Sequence, residues 1–234
     1  MKRTFRFLWQ FHWPNLAALV GFAAAVTLGA VASGVPQGNE NIFQTYFGGF
    51  PMMVLMLLFI LSFALCTSNL NLALSCGARR RDFFWGIQGL LLAYTLTAWL
   101  LQNIMACIPV LMRWTDFGRW TALMTFGKMS VWAFPLASMT VLALGCLCGL
   151  LFSRSKVLGS IVMVVAMLVS IAAVMLLMFA AGNEVALYSM DESAPDIILS
   201  PWGRLPRYLG LGMGAVFLVS EYLIWRFIRR YCVR

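Results

Sequence analysis

Asn71-Leu-Ala-Leu-Ser-Cys-Gly-Ala-Arg-Arg-Arg-Asp-Phe-Phe-Trp-Gly86 joins two long apolar segments through one short run of charge. An arginine at a bilayer centre costs roughly 2.5–3.5 kcal/mol, so Arg79, Arg80 and Arg81 belong in water or among lipid headgroups. The stretch therefore ends one membrane helix and begins the next. Gly77 lets the chain leave a helix through a left-handed residue, and Asp82 is placed to cap the helix that follows. Phe83, Phe84 and Trp85 stand where aromatic side chains favour the membrane interface.

Composition extends this reading to the whole chain. Of 234 residues, 62% are hydrophobic and only 11% charged, and the mean hydropathy is +0.86. A soluble domain carries about a quarter charged residues, so this is an all-α, polytopic membrane protein. The formal net charge of +9 would point to nucleic acid in a soluble chain; beside membrane spans it sets their orientation, and no nucleic-acid partner is expected. The six cysteines form no disulfide framework. Cys66, Cys107, Cys146 and Cys148 fall in apolar runs, Cys76 and Cys232 in cationic ends. Cys146 and Cys148 lie two residues apart, about 200° around a helix, which suits packing better than a metal site.

In chain order, residues 1–14 place Phe5, Leu8, Trp9 and Trp13 on one helical arc and Lys2, Arg3, Arg6 and Gln10 on another. This predicts an interfacial elbow helix on the inner leaflet that stops near Pro14, with a disordered basic terminus or a signal peptide as weaker readings. A six-span transmembrane domain, 15–234, follows. Each of the apolar runs 15–35, 50–74, 83–112, 129–152, 157–181 and 207–228 reaches about the 20 residues that cross the hydrocarbon. Residues 36–49 make a short outer loop, 113–128 an interface-like segment rich in Trp, and 153–156 a tight basic turn. Of the seventeen Lys and Arg, twelve then fall on one side: Lys2, Arg3, Arg6, Arg79, Arg80, Arg81, Arg154, Lys156, Arg226, Arg229, Arg230 and Arg234. That side is the cytoplasmic one, with both termini on it, in the cell membrane.

The chemistry is sparse. The single histidine, His12, lies in the leader and reads as an interfacial side chain, so neither a His-bearing triad nor a multi-His metal site can form within the spans. Glu221, at the inner end of the last span, reads as paired with a basic neighbour such as Arg226, or snorkelling. Gly127-Lys128 is followed by Met129, so there is no phosphate-binding loop. The chain is not expected to be an enzyme or to carry a cofactor or metal. Gly145-x-x-x-Gly149 and Gly210-x-x-x-Gly214 allow close helix approach, either within one bundle or between subunits. The Met, Phe and Leu crowding spans two and five read as packing or lipid-facing residues before a substrate pocket.

Ser75-Cys-Gly-Ala-Arg-Arg-Arg-Asp-Phe-Phe-Trp-Gly86 resembles the cytoplasmic turn between the second and third spans of ABC-2-type (type V exporter-like) permeases. Those are the membrane subunits of ATP-driven ABC exporters. The resemblance implies that 75–84 is a coupling turn, with Ser75, Gly77, Arg79, Arg80, Arg81, Asp82, Phe83 and Phe84 docking on an ATP-binding cassette ATPase subunit. It also implies ATP and Mg on that partner, a second permease subunit making a homo- or heterodimer, and a re-entrant form for the outer segment 182–206, for which a simply solvated loop is the alternative. In this reading the arginines supply salt-sensitive contacts and Phe83 and Phe84 an apolar anchor in a groove of the ATPase. The cargo would be lipophilic or peptide-like. Two other classes stay open: a membrane scaffold or immunity-type protein that binds a lipophilic peptide without ATP, and, less favoured, an integral membrane enzyme.

Overall fold

The computed structural model describes residues 2–33, 44–75, 79–113, 130–169, 171–172 and 201–230, and every regular element among them is helical. In order these are α1 Lys2–Ala32, a π-helical turn Gln44–Gly48, α2 Phe50–Ser75, α3 Arg80–Leu111, α4 Ser130–Arg154, α5 Lys156–Val169 and α6 Pro201–Arg230. Among the described residues five helices are long and apolar enough to cross a membrane: α1 from His12, α2, α3, α4 from Trp132 and α6 from Tyr208. Helices are the expected solution, because an α-helix satisfies its backbone donors and acceptors internally in a solvent that offers none. The expected fifth span, 157–181, is represented by the shorter apolar helix α5 and residues 171–172; the rest of it lies outside the described residues, as do the interface-like 114–128 and 182–200 of the outer segment.

Three boundaries differ from expectation. The leader and first span form one helix of 31 residues with Pro14 inside it, so the stop at Pro14 does not occur. Proline there removes one backbone hydrogen bond, a loss of roughly 3 kcal/mol in an isolated helix. It is offset by ties on either side: Leu8, Leu16 and Leu19 are buried, His12 is hydrogen-bonded to Asn69 of α2, and within the helix to Asn15 across the proline. Likewise α3 begins at Arg80, which draws Arg80 and Arg81 out of the expected loop and into the first helical turn. And α6 begins at Pro201, so residues 201–206 of the outer segment are helical.

Side-chain pairings give the direction of each helix. Gly145 lies against Phe59 and Ser62, and Gly149 against Phe63 and Cys66, so α2 and α4 run parallel. Gly210 meets Trp132, and Thr140 Oγ1 donates to the Met213 carbonyl at 3.3 Å, so α4 and α6 also run parallel. His12 lies edge-on to Tyr94 and Thr27 Oγ1 reaches Met105 Sδ at 3.3 Å, which aligns α1 with α3. Phe22 stacks on Phe50 while His12 bonds Asn69, so α1 opposes α2. Ser75, Arg80, Arg154, Lys156 and Arg230 therefore share one end of the bundle. The basic ends gather there in three dimensions, as the charge pattern required.

Helices α2 and α4 pack closely. A Cβ at Gly145 would stand 2.0 Å from Ser62 Oγ and 2.7 Å from the Phe59 carbonyl oxygen; one at Gly149 would stand 2.7 Å from the Phe63 carbonyl oxygen. This pair thus serves packing within the bundle. Small residues let backbones approach, which supplies the dispersion contacts that hold helices together in lipid. Cys146, buried beside them, directs its thiol to the Ser62 carbonyl at 3.6 Å, a packing role as expected. Ser155 turns α4 into α5: its carbonyl accepts from the Gly159 N–H at 2.9 Å, and Gly159 passes so close to Phe152 that a Cβ would lie 2.2 Å from its Cα. The outer surface is also apolar, with Leu28, Leu96 and Leu211 more than half exposed, as a bundle solvated by hydrocarbon requires.

Candidate functional site

The arginine turn is built from two helix ends. Ser75, exposed, closes α2, with Oγ donating to the Leu72 carbonyl at 2.8 Å. Gly77 lies outside the described residues. Arg79, in extended backbone (φ −69°, ψ 137°), is the N-cap of α3, and its carbonyl accepts from the Phe83 N–H at 2.9 Å. Asp82 is therefore not the cap. It sits in the first turn, where a carboxylate still complements the positive end of the helix dipole and tempers the adjacent arginines.

Arg79, Arg80 and Arg81 are all exposed, as a docking surface needs. Arg80 also reaches across the bundle: Nη1 donates to the Arg229 carbonyl at 2.9 Å, capping the C-terminal end of α6 with a cation. Phe83 departs from expectation. It is fully buried within the bundle, so it is unavailable as an anchor for another protein. Its position explains this, since Phe83, Ile87, Leu90, Tyr94, Ala98 and Leu101 form one buried stripe at helical spacing. Phe84 is half-buried and packs edge-on against Trp225 of α6, centroids 5.0 Å apart. Both aromatics fasten the turn to its own bundle. The apolar side of any outward-facing surface falls to Trp85, which is half exposed.

Behind the turn lie polar residues whose partners were not apparent from the chain order. His12 is buried, not interfacial: Asn69 Nδ2 lies 2.9 Å from its Nε2 and Asn15 Nδ2 lies 3.1 Å from its Nδ1. Both amides present an NH2 donor to the ring, and a neutral imidazole accepts at the nitrogen that carries no proton. This clasp ties α1 to α2. Glu221 is likewise not paired with Arg226, which is exposed; its carboxylate accepts from Gln88 Nε2 of α3. Further along α3, Thr95 and Gln102 are buried with side-chain polar atoms that lack a hydrogen-bond partner. A cavity of about 50 Å³ between α2, α4 and the end of α5 is lined by apolar side chains, among them Met52, Met56, Phe59 and Met167. The second small pair divides: Gly210 packs on Trp132, whereas a Cβ at Gly214 would meet nothing within 4 Å. Among the described residues no group of three His, Cys, Asp or Glu is placed to hold a metal.

Comparison with known proteins gives no significant match to a family model, a curated protein or a solved structure. The family likeness therefore rests on residues 75–86 and the hydropathy pattern.

Proposed function

We propose that the chain is the membrane-spanning permease subunit of an ATP-driven exporter of the ABC-2 type, with the arginine end of the bundle in the cytoplasm. A separate ATPase subunit, carrying ATP and Mg, would dock on Arg79, Arg80 and Arg81, and the permease would work as a homo- or heterodimer. The observation that carries this reading is the mechanical one: the start of α3 is exposed in its charges yet fastened twice to α6, by Arg80 to the Arg229 carbonyl and by Phe84 to Trp225. A push on such a turn moves α3 and α6 together; a floppy loop would absorb it.

The polar content of α3 supports the same reading. Buried groups without partners cost about 1–3 kcal/mol each, and Thr95 and Gln102 lie on the helix that the turn begins. Displacement of α3 would let them meet water or cargo, which makes the second state less costly. The two states differ in inward and outward access, and ATPase closure biases one over the other. The apolar cavity and neutral spans suit a lipophilic or peptide-like cargo.

The test is co-purification of the partner ATPase with the wild-type chain and with Arg79, Arg80 and Arg81 all replaced by Ala, after confirming that the variant keeps its topology. The proposal expects capture by the wild type and loss in the variant. Equal capture by both ends the coupling role of the arginines; activity in the absence of any ATPase favours the scaffold reading.

A further inference from the structure

Arg226 and Arg229 are both exposed, and they continue a column on α6 in which Leu211, Ala215, Leu218 and Tyr222 are exposed as well. Successive members are three or four residues apart, so the six share one face of the helix. From Leu218 to Arg229 that face is about 16 Å long at 1.5 Å per residue, close to half the roughly 30 Å hydrocarbon core. The column is apolar at depth, carries a phenol one turn higher and ends in guanidinium groups. It has the profile of one leaflet.

The Arg80 bond to the Arg229 carbonyl brings a third guanidinium to the same place, and only one of its five N–H donors is needed for that bond. Glu221, the nearest acid on α6, is turned away to Gln88. We infer that Arg80, Arg226 and Arg229 bind the phosphodiester headgroup of an anionic lipid whose acyl chain lies along Leu218 and Tyr222. A guanidinium fork matches phosphate oxygens in pairs, and basic clusters at helix ends of this kind hold anionic headgroups. An acidic protein would explain the arginines but not the apolar column beneath them. The site serves to hold the end of α6, which the coupling turn grips, at a fixed depth; it does not depend on whether an ATPase docks at the turn.

The test is native mass spectrometry of the full chain in a neutral detergent, with phosphatidylglycerol and phosphatidylcholine of the same acyl chains added in equal amount. The wild type is expected to retain phosphatidylglycerol preferentially, by about fivefold for each arginine engaged. Arg226→Gln with Arg229→Gln should cut the preference to about the fivefold that Arg80 alone supplies, and Arg226→Lys with Arg229→Lys should keep much of the preference. Equal retention of the two lipids by the wild type overturns the inference whatever the variants do. So does an unchanged preference in the Gln variant, displacement of the lipid by inorganic phosphate, or loss of a protein partner with lipid preference intact. Because Arg79, Arg80 and Arg81 are untouched, failure here leaves the ATPase-docking test standing.

Discussion

At the scale of single residues, glycines and buried amides decide how tightly the helices meet. Gly145→Ala should destabilise the bundle by about 1–3 kcal/mol, because the new methyl meets Ser62 and a backbone oxygen at once. Gly214→Ala, with open space beside it, should stay within about 0.5 kcal/mol. Denaturant titration in micelles compares the two, and equal losses would place the close approach elsewhere. A second prediction concerns His12. A double-mutant cycle of His12→Ala and Asn69→Ala should show a coupling of about 0.6 kcal/mol or more, typical of interhelical hydrogen bonds in membranes; additive effects would remove the clasp. The close approach at Gly145 and Gly149 was legible from their spacing; the amide clasp was not. His12 read as interfacial because its neighbours in sequence are aromatic and basic, whereas its partner Asn69 is 57 positions away. A lone amide near the inner end of an apolar helix was the available signal, and neither Asn15 nor Asn69 by itself indicates what it faces.

At the scale of elements, hydropathy and charge are local quantities, and what depends on them was readable. Among the described residues the apolar runs are helical, the arginines stay at a helix end, and the basic ends come to one end of the bundle. What depends on packing was not. The break at Pro14 was expected from backbone chemistry alone, and ties between α1 and its neighbours overrode it. Phe83 read as an outward anchor because of its place beside the arginines, yet the helix starts early enough to swing it into the core stripe. This gives a prediction: Phe83→Ala should destabilise the isolated chain by about 3 kcal/mol, and Phe84→Ala by less, in thermal unfolding without any partner. If Phe83→Ala left stability unchanged but abolished partner binding, the anchor reading would return.

At the scale of the whole molecule, the account is one of leverage. Two long-range bonds join α3 to α6 at the arginine end, Arg80 to Arg229 and Gln88 to Glu221, across 149 and 133 positions of sequence. Meanwhile α2 and α4 form a tight central pair through Gly145 and Gly149. In turn α6 packs along α4, Gly210 on Trp132 and Thr140 on the Met213 carbonyl, so force applied at the turn passes through α6 to the close-packed pair. The most direct test is a photo-crosslinking amino acid in place of Arg79, irradiated in native membranes, with the captured species identified by mass spectrometry. The account predicts an adduct with a polypeptide that carries a phosphate-binding loop and lies on the cytoplasmic side. Adducts with exterior proteins alone, or with lipid alone, would contradict it.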